Sequence, residues 1–417
     1  MAESKKNDRP KTGTRTRMSV PRPNLRKGKA VLESSRITRT MIKLCLIIAA
    51  LMIIIGIWRS RIDLHPVNMV QCARDIPAMT GGGDGYPMSI HGGNTLQLDQ
   101  LAGGIAVLSD STTSVLNRSG KEAVNSTHSM TNPGMKTAGR YALVFDIGQK
   151  KARLETAAGT LSTASTEYPI ISGAVSRKGD FALVTKGSTH SASMISDVNV
   201  YDRKGEWTYK YHHAMYYIND AALSGNGKYL AVSGISAEEG KLKSVVMVYR
   251  VGEEKPRATL TQQDNIFLAL EFTSADTLYC IGDKVMLVVD DYGESYATVN
   301  LAGELMAYDI EYDCGAAVYT SLIQNIDTGN LQVFDVHGQL RFSEDVPLYG
   351  TAVSLDAAGC CVLGRGKMNG YRLSGELFGE WDVGITASDV ELIDREAYVS
   401  DGIIVSHIHI AQVKDDE

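Results

Sequence analysis

Hydrophobic and polar positions along this chain fall into three regimes. From Leu44 to Trp58 the residues read LCLIIAALMIIIGIW, an apolar stretch without a charge. Residues 59–85 show no periodicity and end in the run Gly81, Gly82, Gly83, Asp84, Gly85, which predicts a flexible linker. After that, short alternating or continuous apolar runs recur at even spacing, separated by glycine turns. The clearest are GIAVLSD from Gly104, YALVFDI from Tyr141, FALVTKG from Phe181, YLAVSGI from Tyr229, LYCIGD from Leu278, AAVYTS from Ala316, CVLGRG from Cys361 and AYVSDG from Ala397, eight in all at intervals of 36 to 49 residues.

Each run sits inside a larger unit. Most are preceded by another short strand, such as SGAVSRKG at Ser172 or DAALSGNG at Asp220, and most of the first seven are followed by a glycine-turned hairpin, such as NVYDRKGEWTYKY from Asn199. Four antiparallel strands at this period are the blade of an all-β propeller. The last unit supplies only three strands, while Gly85 to Gly92 offers a spare one ahead of the first full unit. Pairing the two closes an eight-bladed ring over residues 86–412, sealed by the 86–91 strand, and leaves an acidic end at 413–417. Seven blades is the alternative, if the weak unit at 134–166 is not a blade.

The apolar stretch with Met41 to Lys43 is about 18 residues long, enough to cross a thin bilayer as a helix over 41–58. Its flanks match a signal anchor better than a cleaved signal peptide, since Ile57, Trp58, Arg59, Ser60 and Arg61 offer no small-residue cleavage site. The net charge of -6 hides an asymmetry. Residues 1–43 hold 13 Lys and Arg against 3 acids, and everything beyond residue 58 holds 29 against 45. The positive-inside rule therefore puts a disordered basic tail, 1–40, in the cytosol and the propeller outside the membrane. The bilayer, met through Leu44 to Trp58, is the first expected partner. The tail's charge is explained by topology and lipid headgroups, so no nucleic-acid partner is expected.

The strand of Gly83 to Ile90, G-D-G-Y-P-M-S-I, followed by blades of the type GKYLAVSG at Gly227, resembles a membrane-anchored propeller family of Gram-positive bacteria catalogued as a domain of unknown function, within the WD40-like and quinoprotein-like propeller superfamily. The resemblance implies a location and a fold, not an activity. No unit ends in Trp-Asp, and three tryptophans are too few for the docking repeats of quinoprotein dehydrogenases, so no quinone and no other cofactor is expected.

Connection lengths suggest where a partner binds. Turns between first and second strands (SRKGD, SGNGK) and between third and fourth (DRKGE, DVHGQ) are short and share one rim. Long connections at 187–195, 235–243, 322–330 and 212–218 share the other, which is the expected binding face because variable loops on a rigid scaffold carry recognition. The linker enters on the short-turn rim, which points the long connections away from the membrane. Candidate contact residues are His212, His213, Tyr216 and Tyr217, in the densest aromatic stretch of the chain, with Glu238, Glu239, Asn325 and Asp327 on neighbouring connections. An envelope protein or polysaccharide is the expected partner.

No enzymatic constellation is apparent. There is no G-x-S-x-G elbow, no H-E-x-x-H and no phosphate-cradling glycine loop. His407 and His409 alternate on one strand without a third ligand nearby, so no metal is expected. Six cysteines without a C-x-x-C pair form no disulfide framework, and adjacent Cys360 and Cys361 should point to opposite faces as small buried hydrophobes. First-strand residues would line the central channel. They are mostly small or apolar except Asp220, Glu271, Asp309 and Asp389, whose convergence would instead favour an enzyme acting on cell-wall or extracellular glycans. An extracytoplasmic sensor is a third reading.

Overall fold

A computed structural model describes residues 41–44, 66–187, 196–238, 240–322 and 325–410, without the side chains of 322, 325 and 326. The expected membrane span therefore lies outside the described residues except at 41–44, as do the basic tail and the acidic end. Among the described residues no helix is long and apolar enough to cross a membrane. The propeller belongs to a unit of its own, Ile62–Glu417.

Thirty-two described strands, β1 to β32 in chain order, form eight separate four-stranded antiparallel sheets. Seven are built from consecutive strands, at residues 95–127, 133–165, 170–213, 217–263, 267–300, 304–346 and 350–382, here blades 1 to 7. Blade 8 combines β30 (Ala387–Ile393), β31 (Glu396–Asp401) and β32 (Ile404–His409) with β1 (Met88–Ser89) from the other end of the chain. Met88 pairs with Val405 and Ser89 with Ile404, and the Ile90 amide donates to the Ile403 carbonyl at 2.7 Å. The ring thus has eight blades, and the weak unit at 134–166 is a complete one.

Closure is visible in the packing. Eight hydrophobic clusters fill the gaps between successive blades, including the gap between blades 8 and 1, where Ile90, Leu98, Ile105, Tyr398 and Val405 meet. The eight runs singled out in the sequence are the second strands, and period-two alternation sends their side chains into both neighbouring gaps. In β7 (Tyr141–Asp146), Leu143 faces blade 3 while Ala142 and Val144 face blade 1. That is why these strands read as continuously apolar. Cys360 and Cys361 likewise enter clusters on opposite sides of blade 7, and the five cysteines of the unit are free and buried.

Short turns are fixed by side-chain chemistry. In blades 3 and 6, Asp202 and Asp335 accept backbone N–H bonds at 2.9 to 3.0 Å from the residues two and four positions on, and Gly205 and Gly338 take φ near +80°. A Cβ at Gly338 would also strike Val288 of the preceding blade.

Three segments depart from expectation. Within the linker, Pro66–Met79 forms a helix, α1, seated on the short-turn rim. Its Asp75 carboxylate meets Arg140 at 3.1 Å and Gln71 at 2.8 Å, Asn117 donates to the Met79 carbonyl at 3.1 Å, and Lys121 reaches the Ala78 and Thr80 carbonyls. Aperiodic sequence concealed this helix because the face it buries is polar. The long connections at 235–243 and 322–330 are also mostly strand. β15 (Tyr229–Glu238) and β16 (Lys241–Arg250) stay paired out to Glu238 opposite Lys241, and β24 (Asn325–Phe334) begins at Asn325. Cross-strand pairing carries polar residues past the point where the apolar pattern stops.

Candidate functional site

The central channel is lined by the first strand of each blade. In seven of the eight, a register shift near the strand's start sets which residues turn inward; only β6 (Pro133–Ala138) lacks it. The four expected carboxylates lie on these strands, and three of them do the same job. The Asp220 carboxylate accepts from the Leu270 amide of the next blade at 2.9 Å, Asp309 from Leu355 at 2.7 Å and Asp389 from Leu98 at 2.7 Å. Ser172 from the preceding blade donates to the other Asp220 oxygen at 2.6 Å. These side chains stitch neighbouring blades where backbone amides would otherwise face the channel unpaired.

Glu271 has no such backbone bond among the described residues. Sequence reasoning missed Asp99, which accepts from Thr137 of the next blade, as well as Lys136, Tyr308 and Glu391. Asp99, Glu271, Asp309 and Glu391 each stand two positions beyond the residue at which pairing resumes after their strand's register shift. The Asp389-x-Glu391 spacing was the available signal. Lys136, 3.8 Å from Asp220, is the cation in their midst.

Burial governs the protonation of this lining. It raises Glu271 to about 8, Asp309 to about 7, and Asp99 and Asp389 to about 6, with mutual repulsion adding to the effect and Lys136 opposing it at Glu271 and Asp99. Glu391 is raised too, by burial and then by Asp309 and Asp99. At neutral pH the lining is therefore partly protonated. Among the described residues, no group of three or more His, Cys, Asp or Glu side chains is arranged to hold a metal. His407 and His409 both turn to Glu396, which His409 Nδ1 meets at 2.7 Å.

The contact residues proposed from sequence are spread over the rim. On β13 (Trp207–His213) alternate residues turn inward, so Tyr211 and His213 are buried while Lys210 and His212 face out. Both outward side chains meet the buried Asp197 carboxylate at 2.6 Å. His213 packs edge-on against Tyr249, and burial lowers its pKa to about 4, so it is withdrawn from any partner. Tyr216 packs partly against the cluster between blades 3 and 4, and Tyr217 is half-buried. Glu238 is exposed and paired with Lys243 at 2.6 Å, and Asp327 is exposed. Glu239 and the Asn325 side chain lie outside the described residues. Of the described ones, His212, His213, Tyr216, Tyr217 and Glu238 belong to the adjacent blades 3 and 4, and Asp327 to blade 6.

The rim has another feature that the sequence reading passed over. Ile147, Met215, Ile385 and Ile403, all large and exposed, sit at blade-to-blade or second-to-third-strand connections, and the exposed Leu96 and Leu268 stand second in the first strands of blades 1 and 5, which begin on the same long-connection rim. Met215 is 77 % and Ile385 80 % exposed. They come from positions all around the ring.

Fold and lining together define an eight-bladed propeller with a polar, stitched channel and a rim studded with apolar side chains. The chain belongs to a family of unknown function, DUF5711, whose profile matches residues 86–392, from the ring-closing strand into the last blade. A search of curated proteins gives no match. Among solved structures, apo AztD from Citrobacter koseri is similar at 12% identity and a TM-score of 0.52, covering 74% of this chain and 90% of that one. Sqt1 from Saccharomyces cerevisiae is similar at 10% identity and a TM-score of 0.52, covering 79% and 100%. At such identities the likeness is one of fold.

Proposed function

We propose that this protein is a non-enzymatic binding module, held at the cell membrane by the apolar run 44–58 with its N-terminus cytosolic, which offers the long-connection rim of its propeller to an extracytoplasmic protein. The ring of exposed aliphatic side chains carries the reading. Single exposed hydrophobes are ordinary on any surface, but four on the connections of one rim and two at the strand starts beside them give a partner several anchors on a rigid frame, and interfaces draw most of their energy from a few such anchors. Leu, Ile and Met suit an apolar protein surface. A polysaccharide would call for flat aromatic faces, and Tyr216 and Tyr217 are partly packed into the blades.

The channel carboxylates do come near one another, as a glycan-cleaving enzyme would need, but three of them are already engaged. Asp220, Asp309 and Asp389, which a glycan-cleaving enzyme would need as free acid and base, are engaged by backbone amides of adjacent blades. The membrane tether is supported by the apolar run and by the excess of basic residues ahead of it.

Photo-crosslinking tests the proposal in cells. A crosslinker placed at position 215 or 385 of the full chain should trap one protein species, and the same group at position 204, in a short turn, should not. Equal adducts from both rims, or none from 215 and 385, would reject a dedicated protein-binding rim.

A further inference from the structure

Helix α1 is amphipathic the wrong way round. With 100° between successive residues, Asn68, Gln71, Cys72 and Asp75 fall on one side and are buried against the rim. Met69, Val70, Ala73, Ile76 and Pro77 fall within an arc of roughly 120° on the other side, and all five are exposed. Met69 is 48 %, Val70 54 % and Ile76 53 % exposed. A helix whose outer face met only water would place these sets in reverse. Here the docking face is held by specific polar bonds, and the outward face is left apolar.

Two observations identify what covers it. The helix lies on the short-turn rim, opposite the rim that carries the proposed binding residues. It also begins at Pro66, and the apolar run ends at Trp58. Eight Cα-to-Cα steps reach at most about 29 Å, so a chain tethered by that run cannot carry α1 far from the lipid surface. Arg74 is exposed beside the apolar arc, with a side chain long enough to reach a headgroup while its stem lies along the interface.

We infer that α1 is an interfacial helix, whose Met69, Val70 and Ile76 enter the boundary between headgroups and acyl chains and so seat the propeller on the membrane with its short-turn rim down. The inference rests on the proposed membrane tether and adds a second contact to it. Interfacial helices bury an apolar face of this kind several ångströms into the bilayer without crossing it. The usual polar outer face is replaced by the polar face that grips the propeller. A flexibly tethered ring would tumble above the membrane, whereas one held at both points keeps its far rim pointed outward.

Lipid-depth quenching on the full chain, reconstituted into phosphatidylglycerol and phosphatidylethanolamine vesicles, tests this. In a Cys45→Ala background the remaining cysteines are buried, so Val70→Cys or Ile385→Cys can each carry one environment-sensitive fluorophore. Spin-labelled lipid should quench the label at position 70 several-fold and leave the label at 385 unchanged. Adding Met69→Glu and Ile76→Glu should abolish the quenching at 70. If the chain resists carbonate extraction but the label at 70 is not quenched, whether open to water or covered by protein, the inference is wrong and the tether stands. If carbonate releases the chain, the tether fails and this inference with it.

Discussion

The two rims handle exposed apolar residues in different ways. On the short-turn rim Met69, Val70 and Ile76 are gathered on one helix, beside single residues such as Trp207, Leu340 and Leu377 that follow short turns, and a buried ion pair, the Asn117 amide and the Lys121 ammonium hold that helix in place. On the opposite rim they stand singly on connections of a frame that is rigid without them. Removing a side chain from the first rim should therefore disturb local structure, whereas removing one from the second should disturb only recognition. Exposure alone does not reveal a surface's role; what supports the exposed group has to be considered as well.

Arg140→Ala is the strongest way to test that difference. It leaves Asp75, 1 % exposed, without its cation, and stranding a buried charge costs on the order of 3 kcal/mol. Hydrogen exchange should show 66–79 losing protection while blades 4 to 7 keep theirs, and Asp75→Asn in the same chain should restore much of it. Unchanged protection would mean that the ion pair does not hold the helix. Next in size, Met215→Glu with Ile385→Glu should weaken binding of the crosslinked partner by at least about tenfold, or 1.4 kcal/mol, with an unchanged melting temperature. A lower melting temperature would make those residues structural and blur the contrast.

A third effect comes from the channel between the rims. Glu271 and Asp309, raised to about 8 and about 7, hold protons in the folded protein that the unfolded chain has released. The folded state then binds more protons, so stability falls as pH rises through this range. His213, lowered to about 4, acts in the opposite sense: the unfolded chain takes up a proton first, and stability falls as pH drops below about 6.5. Two carboxylates outweigh one histidine from about pH 5 upward, so the melting temperature should decline by a few degrees between about pH 5 and about pH 8, and Glu271→Gln should flatten that decline. An equal decline in the variant would assign it elsewhere. The smallest effect is expected at Lys243→Ala, which removes a surface pair between the half-buried Lys243 and the exposed Glu238 and should leave the melting temperature and the hairpin's protection unaltered.

The blades were legible in the sequence because each second strand is buried on both sides, which leaves an uninterrupted apolar signature. The closing strand was legible as the missing member of an incomplete last unit. The helix was not, since its apolar residues point outward, its buried ones are polar, and Pro77 interrupts the pattern near its end. His213 was misjudged although the alternation of Tyr211 and His213 with Lys210 and His212 already divided that strand into inner and outer faces. The channel was half legible. Asp220, Glu271, Asp309 and Asp389 stand out against small residues, but that the three aspartates act as inter-blade stitches depends on the spacing of adjacent strands, which no single stretch of sequence contains. The rim of aliphatic residues was hidden because its members are scattered along the whole chain and each is ordinary alone.

The seam of the ring has a mechanical consequence. Only two residues of β1 pair with β32, on the side of the proposed membrane tether. A tug delivered at residue 66 reaches Tyr86 only after the bonds of α1 to blades 1 and 2 have given way, because Arg140, Asn117 and Lys121 take the load first. The helix works as a strain relief, like the clamp that keeps tension on a cable from reaching its solder joint.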